Sequence, residues 1–199
     1  SWTDFAVITF ADSGFNKRPK GKSTGGLLTM IGPRTAMGGE TTKLSPLVWR
    51  SWGLTRVGHS SNECEIQAVT EGEDNDFRVR LMWAEFNGAG AARLPPPALR
   101  PRAWESEVLD SVKKVMCVGA TGSKGGFDAI EVQESAGLGM ASGRTAVEAL
   151  VLKHIFGPKY TTLIWVASDW NLGDGFTKSL ASARDNLMTY LQTRCWRLR

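Results

Sequence analysis

The sequence predicts an α/β domain in which a five-stranded mixed sheet, a three-strand antiparallel meander followed by two parallel strands, is flanked by helices. Three observations carry this expectation. Short apolar runs bounded by Gly, Pro and polar clusters recur through the first fifty-odd residues, with only short turns between them. After residue 60 the apolar periodicity becomes helical. Two later apolar runs of strand length are separated by helical stretches, the alternation that builds parallel strands.

The elements follow in order. Phe5–Ala11 (FAVITFA) is short, apolar and β-branched, as a buried strand is, and it runs into Asp12. The polar, basic stretch Ser13–Gly26 reads as a loop on its Gly, Pro and Asn content. Leu27–Ile31 (LLTMI) is a second strand, ended by Gly32-Pro33, and Leu47–Leu54 a third. Ser60-Ser61-Asn62-Glu63 fits a capping box, and Ile66, Val69, Phe77, Leu81 and Ala84 recur at helical spacing up to Phe86. Gly72–Asp76 (GEDND) forms helix poorly and predicts a kink or break. The Ala-, Pro- and Arg-rich stretch at about 89–102, centred on Pro95-Pro96-Pro97, reads as an extended surface excursion within a single domain spanning 1–199. Trp104–Lys114 predicts a short helix, Val115–Ala120 a strand, and Gly125–Glu134 a helix start that loosens at Gly137–Gly143. Arg144–Phe156 is an amphipathic helix, Leu163–Ala167 a buried strand and Asn171–Trp196 a terminal helix.

Composition bounds the function. With 42% hydrophobic and 22% charged residues in 199, the chain has material for one packed core and does not resemble a disordered one. The net charge of +4 is compatible with a phosphate-bearing partner without requiring it. Cys64, Cys117 and Cys195 are odd in number and far apart, which argues against a zinc site or a disulfide framework and for reduced thiols inside a cell. No apolar run is long enough to cross a membrane, and no signal peptide is evident. The chain begins with Ser1, as expected of a piece of a longer polypeptide.

Ligands of such sheets gather at strand ends and adjoining helix starts. Asp12 ends the first strand, Glu65 lies in the first turn of the first helix, and Asp174 opens the last. The fourth such place, after Val115–Ala120, holds Thr121-Gly122-Ser123. Singly, each carboxylate has a structural explanation as a turn residue or a helix-dipole partner. Together they repel, and a hard divalent cation held by oxygen ligands would reconcile them. Two such ions activate water and stabilise the leaving oxygen of a phosphodiester, chemistry that needs no histidine.

These residues also resemble a family. Phe10-Ala11-Asp12 followed by Gly21-Lys22-Ser23-Thr24-Gly25-Gly26 is similar to the opening of ribonuclease H domains of copia-type retrotransposon polyproteins. Ser60-Ser61-Asn62-Glu63-Cys64-Glu65 resembles that family's S-S-T-E-A-E motif, and Trp165-Val166 with Leu172-Gly173-Asp174-Gly175-Phe176-Thr177-Lys178 resembles its ending. The resemblance covers nearly the whole chain apart from the Pro-rich excursion. It implies a ribonuclease H-like fold and metal-dependent endonucleolytic cleavage of the RNA strand of RNA–DNA hybrids. Mg²⁺ or Mn²⁺ is the implied cofactor, two ions if the site is intact, with Asp12 bridging both, Glu65 binding one and Asp174 the other. It further implies a reverse transcriptase domain upstream, and a cytoplasmic retroelement particle or the nucleus as location.

One departure bears on activity. The family carries an Asp just after the fourth strand, and either Gly122 stands at that position or Asp128, six residues on, takes the role. Loss of that carboxylate predicts weak metal binding and a fall of several orders of magnitude in rate. The alternative to an enzyme is a catalytically dead nucleic-acid-binding or structural module. Lys17, Arg18, Lys20 and Lys22, with Ser23 and Thr24, are candidate phosphate contacts, or else a solvated hairpin tip. A phosphate-loop reading of Gly21-Lys22-Ser23-Thr24 fails, because Asn16 stands where its first Gly belongs and a strand follows. His59 and His154 are expected to be structural, and the tryptophans mostly core. Arg194, Arg197 and Arg199 suit a helix C-terminus or a nucleic acid.

Overall fold

The computed structural model describes residues 1–19, 22–87, 109–132, 142–157 and 161–198. The apolar run near the start forms the middle of the sheet. β1 (Phe5–Arg18) pairs antiparallel with β2 (Lys22–Pro33). A two-residue β3 (Thr42–Lys43) precedes β4 (Ser45–Gly53), which pairs antiparallel with β2. β5 (Met116–Thr121) lies parallel to β1, and β6 (Thr161–Trp165) parallel to β5. The order β4–β2–β1–β5–β6 is the expected mixed five-stranded sheet.

The continuous apolar character of β1 follows from cover on both faces. Ile8 and Phe10 pack with Leu28, Met30, Val118 and Tyr190 on one side. Val7 and Ala11 face the other, where α1 (Ser61–Phe86) lies across the sheet with Ile66, Val69 and Val79 turned inward. α2 (Lys124–Phe127) continues into a π turn, Asp128–Val132, and α3 (Gly143–Ile155) packs Ala149 and Leu152 beside α1. The short α4 (Asp174–Thr177) and then α5 (Ala181–Thr193) cover the first face, and β7 (Cys195–Trp196) closes on β3.

Several expectations are corrected. The stretch Ser13–Gly26 is mostly strand, because main-chain pairing continues through Asp12↔Gly26, Ser13↔Gly25 and Gly14↔Thr24 and resumes at Arg18↔Lys22. The interruption coincides with Asn16, whose φ of 52° is left-handed. α1 has no break at Gly72–Asp76. Gly72 allows close approach, since a Cβ there would meet Ala11 at 3.3 Å and Thr9 at 3.4 Å. The expected terminal helix Asn171–Trp196 is two helices with an extended link at Lys178, and the final turn gives way to β7. Of the expected capping box, Ser60 accepts from the Glu63 amide at 3.3 Å, but the Glu63 carboxylate accepts from His59 N at 2.8 Å and from Ser142 N at 2.9 Å. It thereby ties the start of α1 to the N-cap of α3. The tryptophans are not mostly core: Trp49 is 61% exposed and Trp165 46% exposed, and among the described side chains only Trp196 is buried. The three cysteines are free thiols. The Pro-rich excursion, most of Trp104–Lys114 and the Gly137–Gly143 stretch up to 141 lie outside the described residues; 109–113 are helical. No described helix is long and apolar enough to cross a membrane.

The unpromising middle of α1 is a polar key set into the sheet. Thr9 donates to the fully buried Asp76, Thr9 and Thr29 share a 2.6 Å hydrogen bond, and Asn75 reaches Thr29 at 2.6 Å. Cys117 Sγ donates to Asp76 at 3.1 Å, and Arg80 reaches Thr161 at 3.1 Å. One helix is therefore bonded to β1, β2, β5 and β6. Burial pushes the Asp76 carboxyl up to about 7, although Thr9, Cys117 and Arg80 oppose the rise. Because the folded state holds this proton more tightly than the unfolded chain, the contribution to stability is full below about pH 4 and is lost as pH rises through about 7. Asp76→Asn, which removes the charge and, like protonation of the carboxyl, turns one of its two accepting oxygens into a donor, is expected to raise the melting temperature at pH 8 and to leave it nearly unchanged at pH 4, as thermal unfolding at the two pH values would show.

Candidate functional site

Parallel pairing of β1 with β5 ends at Ala11↔Thr121. Asp12 and Gly122 are the next residues on the two chains, so they flank the mouth where the strands part. Asp12, expected at the end of the first strand, lies inside β1, because β1 goes on pairing with β2 alone. Alternation along the strand turns Asp12 toward α4 and Ser13 toward α1. Both side chains are buried.

α4 brings Asp174 to this mouth. Asn171 Nδ2 donates to Asp174 Oδ1 at 2.8 Å and to Asp12 Oδ1 at 3.3 Å. Thr177 donates to Asp12 Oδ2, and the Lys178 ammonium pairs with Asp174 Oδ2 and lies 3.8 Å from Asp12 Oδ1. Two of the predicted carboxylates thus meet around an amide and an ammonium. The third approaches from the other side. Glu65, in the second turn of α1, accepts from Ser13 N at 3.3 Å through Oε1, while its Oε2 and the Ser13 hydroxyl are buried with no hydrogen-bond partner among the described residues.

Burial pushes Asp12 up to about 7; the Asp174 charge adds to the rise and Lys178 opposes it. Burial and then the Asp12 charge push Glu65 up to about 8. Burial by itself would lower the Lys178 pKa, but the charges of Asp12, Asp174 and Glu65 prevail and hold the ammonium protonated. Protons held by Asp12 and Glu65 and the charge of Lys178 together offset the gathering of carboxyl groups.

The end of β5 departs from the pattern of a four-carboxylate centre. A Cβ on Gly122 would stand 2.7 Å from Asn171 Nδ2, so the amide fills the space beside this glycine. Asp128 is not brought here; it starts the π turn and pairs with Lys124 one helical turn earlier. Among the described residues no group of three His, Cys, Asp or Glu side chains could hold a metal ion. The donor set gives the reason. Each oxygen of Asp12 and Asp174 already faces a protonated donor, and Glu65 Oε1 is taken by the Ser13 amide. The residues present do not fit a divalent ion shared by all three carboxylates.

Asn171 was not singled out from the sequence, nor were Thr177 and Lys178 given a role beyond their motif. The one available signal was an Asn three residues ahead of a helix-starting Asp, a spacing shared by many ordinary turns. Of the candidate phosphate contacts, Lys22 is exposed, whereas Ser23 and Thr24 are buried and the Ser23 hydroxyl accepts from Asn16 N at 3.1 Å. Lys20 and the side chains of Lys17 and Arg18 lie outside the described residues. Arg197 stacks 4.0 Å over the Trp170 ring, Arg194 is the left-handed C-cap of α5, and Arg199 lies outside the described residues.

No family model matches the chain, and no curated protein is found to be related to it. Solved structures similar to it include LC11-RNase H1, isolated from compost by a metagenomic approach, with 11% identity over 92% of this chain and 98% of that one and a TM-score of 0.45. A complex of LC11-RNase H1 with RNA/DNA hybrid has 11% identity over 83% and 88% of the two chains and a TM-score of 0.40. The foamy viral protease-reverse transcriptase in complex with RNA/DNA hybrid has 10% identity over 94% of this chain but 19% of that one, again with a TM-score of 0.40.

The crowding at Gly122 has a measurable consequence. Gly122→Ala is expected to displace the Asn171 amide and cost about 1–3 kcal/mol through the broken hydrogen bonds. In an Asn171→Ala background the same change should cost almost nothing, a coupling readable by denaturant unfolding of the double-mutant cycle.

Proposed function

We propose that this chain is a ribonuclease H-like module of a copia-type retroelement polyprotein that binds RNA–DNA hybrid without cleaving it. The observation that carries the reading is Gly122 at the end of β5, with Asn171 filling the space beside it. Support for the hybrid as ligand comes from the motifs around Asp12, Glu65 and Asp174 and from the basic segment Lys17–Lys22 on the β1–β2 hairpin. Recognition of this kind reads backbone shape and 2′-hydroxyls and not base sequence. In this reading an upstream reverse transcriptase domain of the same polyprotein supplies the hybrid, in a cytoplasmic particle or the nucleus.

A second reading is that of a hydrolase dependent on Mg²⁺ or Mn²⁺, with Asp12, Glu65 and Asp174 as ligands. It is favoured by one observation, the buried Oε2 of Glu65, which has no hydrogen-bond partner among the described residues. Missing a carboxylate at position 122, such an enzyme would run several orders of magnitude below an intact one.

A labelled RNA–DNA duplex separates the readings. Retention in a gel shift, weakening as salt rises, is expected together with intact RNA after long incubation in Mg²⁺ or Mn²⁺. RNA cleavage that disappears in Asp12→Asn would establish the hydrolase and overturn the proposal.

A further inference from the structure

We propose that Lys178 and Asn171 act as this domain's built-in counter-ion, completing the Asp12–Asp174 pair so that the site takes up no divalent metal. A divalent cation binds carboxylate lone pairs that point into free space. Here those lone pairs are engaged. Asp12 offers Oδ1 to Asn171 at 3.3 Å, with Lys178 at 3.8 Å, and Oδ2 to Thr177. Asp174 offers Oδ1 to Asn171 at 2.8 Å and Oδ2 to Lys178. An entering ion would have to expel an ammonium and an amide, both tethered to the same short segment as Asp174.

Each donor is held in position. Asn171 Oδ1 accepts from Gly173 N at 3.1 Å, which turns the NH₂ end of the amide toward the carboxylates. The segment before it is anchored by Trp196 Nε1, which donates to Trp170 O at 3.1 Å, and by Asn186, which donates to Asp169 O at 2.9 Å. Lys178 lies one helical turn after Asp174, the spacing at which the two side chains meet. Gly122 belongs to the same arrangement, because any side chain there would take the volume of the amide. Absence of a carboxylate at 122 and presence of a neutral donor at 171 are one exchange in space: a negative group fewer and a proton donor more, which lets a single ammonium do the work of an ion. The inference rests on this side-chain geometry and not on whether the domain holds a hybrid, so it and the proposed function fail separately.

Thermal unfolding and Mn²⁺ electron paramagnetic resonance, both without nucleic acid, test it. The wild-type chain is expected to melt within about 1 °C of the same temperature in EDTA and in millimolar MnCl₂, and to retain no Mn²⁺. Lys178→Met, which deletes the ammonium and keeps the stem, should melt lower in EDTA and gain about 5 °C or more in MnCl₂, as an external ion replaces the internal one. Stoichiometric Mn²⁺ on the wild-type chain that is lost in Asp174→Asn would overturn the inference, and so would a folded Lys178→Met indifferent to Mn²⁺. Should Lys178→Met fold in neither buffer, the wild-type titration decides. A chain that binds Mn²⁺ yet leaves the hybrid uncut would end this inference while leaving the proposed function standing.

Discussion

The arrangement of the C-terminal third follows from one electrostatic constraint: carboxylates removed from water next to one another need positive charge or proton donors within reach. Asp12 is placed by the central strand, which is paired on both edges up to Ala11. Everything that satisfies it must therefore come to it. α4 delivers Thr177 and Lys178, and the turn before it delivers Asn171. That turn is held by pieces distant in sequence. Trp170 packs on Trp196 with ring centroids 5.6 Å apart, Tyr190 donates to Leu44 O at 3.0 Å, and β7 closes on β3. The chain end thus locates the residues that answer a charge on the first strand.

The opposite face has its own polar solution. α1 carries Glu65 near its start, so its axial position sets how close that carboxylate comes to Ser13. Apolar packing alone would let a helix slide along a sheet at small cost. The bonds from Asn75, Asp76 and Arg80 to threonines and a cysteine on four strands forbid that sliding. Glu63 adds a second tether at the helix start by accepting from both His59 and Ser142. Buried polar groups of this kind contribute modestly to net stability, but they select one register of packing.

Much of the sheet was legible because its strands are apolar and short, and because helical periodicity separated β4 from β5. That Asp12 and Asp174 come together was legible through their motifs, although Asp12 lies within β1 and not at its end. The outer halves of β1 and β2 were not, because Ser13–Gly26 carries turn residues whose strand pairing is dictated by the partner backbone. The continuity of α1 was hidden for a related reason: Gly72, Asn75 and Asp76 are poor helix formers in isolation, and only the sheet they touch makes them useful. β3 and β7, two residues each, have no periodicity to read. Asn171 has no pattern of its own; its role exists only once Gly122, just past the end of β5, leaves room for it.

The long β1–β2 hairpin has one more consequence. Beyond Thr121 it runs without β5 beside it, and at about 3.3 Å per residue Arg18 stands up to roughly 20 Å along the strand from Asp12. The backbone that carries Lys17 and Arg18 and the backbone that carries Asp12 are thus separate stretches of one strand. Mutations can accumulate at one stretch without reaching the other.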